Sequence, residues 1–151
     1  MTVRVQQEDF NIAAEIDALK ADRTDIGAIV TFTGTVREMT KCGPIKEMSL
    51  EHYPGMTEKQ LEEIEQEAHK RWPLLGTTII HRYGELKPGD NIVLTLTLSA
   101  HRQAAFDAAA FIMDFLKTQA PFWKKETPIE GEAKWVDTRE EDTGAIKRWE
   151  T

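Results

Sequence analysis

Two stretches of the chain alternate apolar and polar residues, and three others repeat apolar residues every three or four positions. Residues 27–37 (GAIVTFTGTVR) put Ala28, Val30, Phe32 and Val36 on one side and Thr31, Thr33 and Thr35 on the other. Residues 91–99 (NIVLTLTLS) put Ile92, Leu94, Leu96 and Leu98 on one face. A period of two rich in β-branched residues predicts strands. Shorter strands are expected at 3–5, 45–53, 77–83 and 132–136. Ile12, Ile16 and Leu19 stand at helical spacing behind Asp9, the expected N-cap. Thr57 and Gln60 form a Thr-x-x-Gln capping box for a second helix. That helix turns Leu61, Ile64 and Ala68 inward, presents Glu58, Glu62, Glu63, Glu65 and Glu67 to solvent, and ends at Trp72-Pro73. The third and longest helix, 101–119, carries the Ala, Phe, Ile and Met of a core element and stops before Pro121.

Turn residues fix how these elements connect. Pro54-Gly55 and Lys87-Pro88-Gly89-Asp90 are tight-turn signals. Residues 39–43 read as a polar, mobile connection, 120–126 as a loop stiffened by Pro121 and two aromatics, and the polar tail 140–151 as loosely held. The order is β-α-β-β-α-β-β-α-β with hairpin-like joints. It predicts an α+β fold, a largely antiparallel sheet with helices packed on one face, rather than a doubly wound parallel sheet. No linker composition interrupts it, and 151 residues suit one domain spanning 1–151.

Composition narrows the function classes. Nineteen Lys and Arg against 26 Asp and Glu give a formal charge of -7, which argues against broad nucleic-acid binding. No apolar run approaches the roughly 18 residues of a membrane span, and the first ten residues do not read as a signal peptide. One cysteine, Cys42, excludes an internal disulfide and a multi-cysteine metal site, and points to a reducing, cytoplasmic setting. No nucleotide-binding glycine loop, nucleophile elbow or metal-spaced histidine pair is present, so neither metal nor cofactor is expected.

What remains is a set of basic residues at element ends. Arg37 closes an alternating strand. His101 and Arg102 open the long helix, where unpaired N–H groups and the dipole favour an anion. Lys117 sits near that helix's end, and Lys124 and Lys125 follow Phe122-Trp123. Each has a plainer role: flanking a helix start, complementing its dipole at the other end, or lying over an aromatic ring. A lysine beside aromatic surface also loses solvation, which lowers its pKa and suits it to acid–base or nucleophilic work. At about 1.5 Å per residue, His101 and Lys117 stand roughly 24 Å apart along one helix. They serve one small ligand only across a long groove, or if a second copy of the chain supplies one of them.

Six blocks add a resemblance. They are Phe32-Thr33-Gly34-Thr35-Val36-Arg37, Leu50-Glu51-His52-Tyr53-Pro54-Gly55-Met56, His81-Arg82-Tyr83-Gly84-Glu85-Leu86, Ser99-Ala100-His101-Arg102, Phe111-Ile112-Met113-Asp114-Phe115-Leu116-Lys117 and Ala120-Pro121-Phe122-Trp123-Lys124-Lys125-Glu126. In this order, across about residues 27–139, they resemble the large, catalytic subunit family of molybdopterin synthase. The resemblance implies a hammerhead-type α+β fold. It also implies conversion of cyclic pyranopterin monophosphate to molybdopterin by installing a dithiolene. The sulfur would come from the thiocarboxylate of a small ubiquitin-like subunit ending in Gly-Gly, in a heterotetramer built on a homodimer of the large chain.

Carried over by position, the resemblance implies that Lys117 and Lys124 are catalytic and that Arg37, His101 and Arg102 bind substrate. Thr35, Val36, Lys125 and Glu126 fall in the same binding segments, and Arg139 matches a further basic position. A phosphate-bearing substrate fits the arginines. Two sulfurs per product are more than one loop cysteine can supply, in keeping with a sulfur-carrying partner. Without the resemblance, a non-catalytic phosphate or nucleotide module and a docking scaffold for a ubiquitin-like protein both stay open.

Overall fold

The computed structural model describes residues 1–41, 43–136 and 144–150. Its elements are β1 (Thr2–Gln6), α1 (Ile12–Lys20), β2 (Ala28–Thr35), β3 (Met39–Thr40), β4 (Gly43–His52), α2 (Met56–Arg71), β5 (Leu74–Arg82), β6 (Gly84–Leu86), β7 (Asn91–Ser99), α3 (Arg102–Thr118), β8 (Phe122–Pro128) and β9 (Lys134–Val136), with a 3-10 turn at Lys147–Trp149. They form two sheets. The first has the order β1-β5-β7-β2, antiparallel except for the parallel β1–β5 edge. The second has the order β3-β4-β8-β9, with β6 also paired to β4. The expected α+β class and largely antiparallel pairing hold.

The helices do not share one face. Ile79 and Val93 pack beneath α2 and α3, against Leu61, Ile64, Phe111 and Ile112. Ile80, Leu94 and Leu96, one residue out of phase, pack against Phe10 with Ile12, Ile16 and Leu19 of α1. Adjacent strand residues point to opposite faces, so α1 covers one side of the sheet and the other two helices cover the other. Strand β7 hides this in sequence because, after Val93, its α3-facing positions are hydroxyls. Thr95 donates to Met113 Sδ at 3.2 Å and Thr97 to the Ala105 carbonyl at 2.7 Å. Ser99 donates to the Pro73 carbonyl at 3.0 Å. Satisfied in this way, a hydroxyl is a tolerable core group.

Several local expectations change. The α1 cap is Asn11, whose side chain accepts from Ala14 N at 3.0 Å. Asp9 instead accepts from Phe10 N and the Asn91 amide. At α2 the cap is Gly55, at φ +84°, and its N–H donates to Glu58 Oε2 at 2.6 Å. Thr57 lies inside the first turn, fully buried, and donates to the Tyr53 carbonyl at 2.9 Å. Glu65 is not on the solvent face. It is buried and accepts from Thr77 Oγ1 at 2.6 Å and Thr2 N at 3.1 Å. The 39–43 connection is a tight hairpin, with Met39–Thr40 paired to Gly43–Pro44, and Cys42 lies outside the described residues. The expected loop after Pro121 is strand β8.

The described part of the tail is docked rather than loose. Trp149 meets the edges of Trp72 and Phe111 at centroid distances of 5.6 Å. Asp114 of α3 accepts from Trp149 Nε1 at 2.5 Å and from Arg148 at 2.7 Å. Trp149→Ala is expected to lower unfolding free energy by roughly 2 kcal/mol, the cost of a partly buried aromatic. Urea denaturation followed by circular dichroism measures it. An unchanged midpoint would mean the tail contributes nothing to the core.

Candidate active site

Strand periodicity assembles the site. Met48 and Leu50 of β4 stand opposite Glu126 and Lys124 of β8, and Val136 of β9 stands opposite Lys124. Directly paired residues share a sheet face, so these five form one surface. The matching end of the first sheet abuts it. Thr35 ends β2, His81 is near the end of β5 and Ile92 is near the start of β7. Arg37, the β3 hairpin with Lys41, and Leu116 and Lys117 from the end of α3 complete a cavity of about 630 Å³. That volume lies in the usual range for small-molecule sites. Among the described residues, four cations (Arg37, Lys41, Lys117 and Lys124) and one carboxylate, the buried Glu126, line it. A smaller hollow between α2 and α3 is lined, among the described residues, by Glu63, Glu67, Gln60 and Gln119, so its polar lining is acidic and amide.

The cavity also contains a histidine that residue chemistry had not singled out. His81 is buried and stacks on Phe122, with ring centroids 3.7 Å apart and planes 18° from parallel. His52 continues the aromatic column, 6.4 Å from Phe122 and 4.4 Å from Tyr83. His81 Nδ1 lies 2.8 Å from the Arg82 carbonyl. A carbonyl only accepts, so Nδ1 carries the proton and Nε2 is the ring's acceptor. Burial, reinforced by the charge of Lys117, pushes its pKa down to about 4, although the bond to Arg82 opposes the shift. The ring is therefore neutral at physiological pH. In sequence, its only signal was a place in the His81–Leu86 block.

Thr35, Arg37, Lys117, Lys124 and Glu126 thus converge, although they are distant in sequence. Val36 does not line the cavity. It is core, packed with Ile45, Met48, Leu50 and Leu86. Lys125 points from the opposite face of β8, where its ammonium lies 5.4 Å from the Trp135 ring centre. His101 and Arg102 are exposed at the far end of the first sheet, because Ser99 pairs with Ala28 whereas Asn91 pairs with Thr35. The length of β7 separates them from the cavity, on the order of 25 Å. Arg139 lies outside the described residues. Among the described residues, no helix is long and apolar enough to cross a membrane.

Fold and cavity define an α+β protein with a cation-lined pocket suited to a compact anionic ligand. The family model described as MoaE protein matches residues 5–119, and the chain belongs to that family. A relative from Mesorhizobium japonicum, called molybdopterin synthase catalytic subunit, is 54% identical and covers 99% of this chain and 94% of its own. Among solved structures, the molybdopterin biosynthesis MoaE protein from Burkholderia ambifaria superposes with a TM-score of 0.84 at 48% identity, covering 99% and 98% of the two chains. Molybdopterin synthase from Staphylococcus aureus gives 0.80 at 34% identity, covering 88% and 95%.

Burial of His81 has a pH consequence. Its ring titrates near 6.5 when unfolded and near 4 when folded. Between these values only the unfolded chain takes the proton, so stability falls as pH drops from 6.5 to 4. The loss is about 3 kcal/mol at most. Glu65 runs the other way, because burial raises its pKa and folding favours its neutral form at low pH. The test is therefore the difference between wild type and His81→Phe in urea melts across that window. Parallel pH profiles would show that His81 does not titrate in this manner.

Proposed function

We infer that this chain is the catalytic subunit of a molybdopterin synthase. It moves sulfur from the C-terminal thiocarboxylate of a small ubiquitin-like subunit onto cyclic pyranopterin monophosphate, forming the dithiolene of molybdopterin. The convergence of Arg37, Lys117, Lys124 and Glu126 in one cavity carries this reading, in a family whose members bear that name. A catalytic subunit implies a second subunit, and the single cysteine leaves the sulfur to that partner. The lone cysteine also suits a reducing cytoplasm. Residues 1–151 act as one catalytic unit.

The chemistry assigns roles. Arg37 and Lys41 meet the phosphate through charge-assisted hydrogen bonds. Each transfer breaks one acyl C–S bond and one C–O bond of the pterin. The sulfur takes the oxygen's place on the pterin carbon, and the displaced oxygen leaves as water or stays on the opened phosphate ester. Oxygen from water takes the sulfur's place on the acyl carbon, leaving an ordinary carboxylate. Two transfers complete one product. Lys117 and Lys124 flank the place where the acyl group enters. They stabilise the developing oxyanion and move protons between water and the leaving groups. Glu126, two residues from Lys124 on the same face of β8, supplies a carboxylate that offsets the lysine charge in the cavity.

His101 and Arg102 belong to the same site through a second copy. Among the described residues, strand β2 is paired along its β7 edge and not along the other. Its sequence from Ala28 to Thr35 has no charge and no proline, and Ile29 and Phe32 are 38% and 40% exposed. Such an edge invites another strand. Two β2 strands paired antiparallel about a two-fold axis set the Ala28 end of one against the Thr35 end of the other. His101 and Arg102, beside Ala28, then face the partner copy's cavity.

Lys117→Ala is expected to fold normally and lose at least about 100-fold in molybdopterin formation. The assay supplies a thiocarboxylated small subunit and the cyclic precursor, and full activity would sink the assignment. A His101→Ala/Arg102→Ala variant is expected to be similarly impaired. Mixing it with Lys117→Ala restores about a quarter of wild-type activity, because half the random dimers keep one intact site. No recovery would show that each site is built from one chain.

A further inference from the structure

Among the described residues, the side chains lining the cavity offer more donors than acceptors. Arg37, Lys41, Lys117 and Lys124 only donate, which suits a phosphate. A pterin also carries ring and exocyclic N–H groups, and those require acceptors. Glu126 is one acceptor, but it is charged and sits among lysines. His81 offers another of a different kind. Its Nδ1–H is committed to the Arg82 carbonyl at 2.8 Å, so Nε2 keeps its lone pair. Phe122 covers one ring face at 3.7 Å and holds the plane. Burial keeps the ring uncharged, so it accepts without opposing an anionic substrate.

We propose that His81 is a specificity-determining residue of this site, whose Nε2 accepts a hydrogen bond from an N–H of the substrate's heterocycle. The proposal rests on the pterin reading above. It gives the cavity two recognition ends: a cationic rim for phosphate and a neutral, aromatic-backed acceptor for the ring. Phe122, stacked on His81, supplies an apolar surface beside that acceptor. A fixed neutral acceptor also discriminates. A heterocycle that presents a lone pair at this position would meet Nε2 with repulsion, whereas one that presents N–H is held.

The test separates substrates. His81→Phe keeps a stacked ring and removes the acceptor, and His81→Gln restores an acceptor near the Nε2 position. For His81→Phe, KM for the cyclic pterin is expected to rise roughly ten- to hundredfold, the effect of one lost hydrogen bond in a closed site. KM for the thiocarboxylated subunit is expected to move less than about twofold. His81→Gln recovers most of the pterin affinity. In the wild-type chain, the Nε2 nitrogen-15 resonance of His81 shifts on addition of the pterin alone, a readout independent of any variant's folding. An unchanged pterin KM in His81→Phe, an equal loss in His81→Gln, or an unmoved Nε2 resonance would overturn the proposal while wild-type turnover stands. A wild-type chain that makes no product with a bound, thiocarboxylated partner would overturn the functional reading itself.

Discussion

Strand β7 is the constraint on which the rest depends. It is paired along both edges, to β5 and β2, and is buried from Val93 to Ser99. Its pairing brings Thr35 and His81 to the same end of the sheet, because Asn91 is opposite Thr35 and Val93 opposite His81. The second sheet meets that end with the face bearing Lys124 and Glu126. The cavity therefore exists because a buried strand holds its register. A one-residue slip would exchange Leu94 and Leu96 for Thr95 and Thr97 against α1, burying hydroxyls without partners. Hydrophobic burial on one face and three satisfied hydroxyls on the other lock the geometry that the chemistry needs.

Much of this was legible in the chain. The alternation in 27–37 and 91–99 and the apolar spacing of 101–119 located the main strands and the core helix, because those segments keep a regular period of two or of three to four. Strand β8 was not legible, and its failure is instructive. Its cavity-facing positions are Phe122, Lys124 and Glu126, and its other face carries Trp123 and Lys125. Charges that line the cavity stand where a strand pattern shows apolar residues. Glu65 was misread for a related reason. Spacing placed it among five glutamates on one helix face, and only the long-range contacts with Thr77 and Thr2 make its burial tolerable. His81 was invisible to residue chemistry because its tautomer and burial depend on a backbone carbonyl and on a ring from another strand.

The charge of -7 also acquires a location. Negative residues dominate the solvent-facing side of α2, while four cations turn into one cavity. A net charge describes the field at a distance, and a pocket is governed by groups within a Debye length. The acidic exterior discourages adventitious polyanions, while the cationic lining selects a ligand small enough to enter.

One chain presents anion-binding chemistry at two ends of its first sheet, and its own geometry keeps them apart. α3 cannot bend to join them, because Ala105, Ala108, Phe111 and Ile112 fasten it along the sheet. Moving His101 next to Lys117 would require breaking the main core. The β2–β2 pairing proposed above would resolve this without any change of shape, since a two-fold axis reverses the strand and exchanges its ends. The rigidity that separates the two groups within a chain also sets their positions in a pair. On the pairing proposed above, a shared site follows from a helix too long and too well packed to serve one pocket from both of its ends.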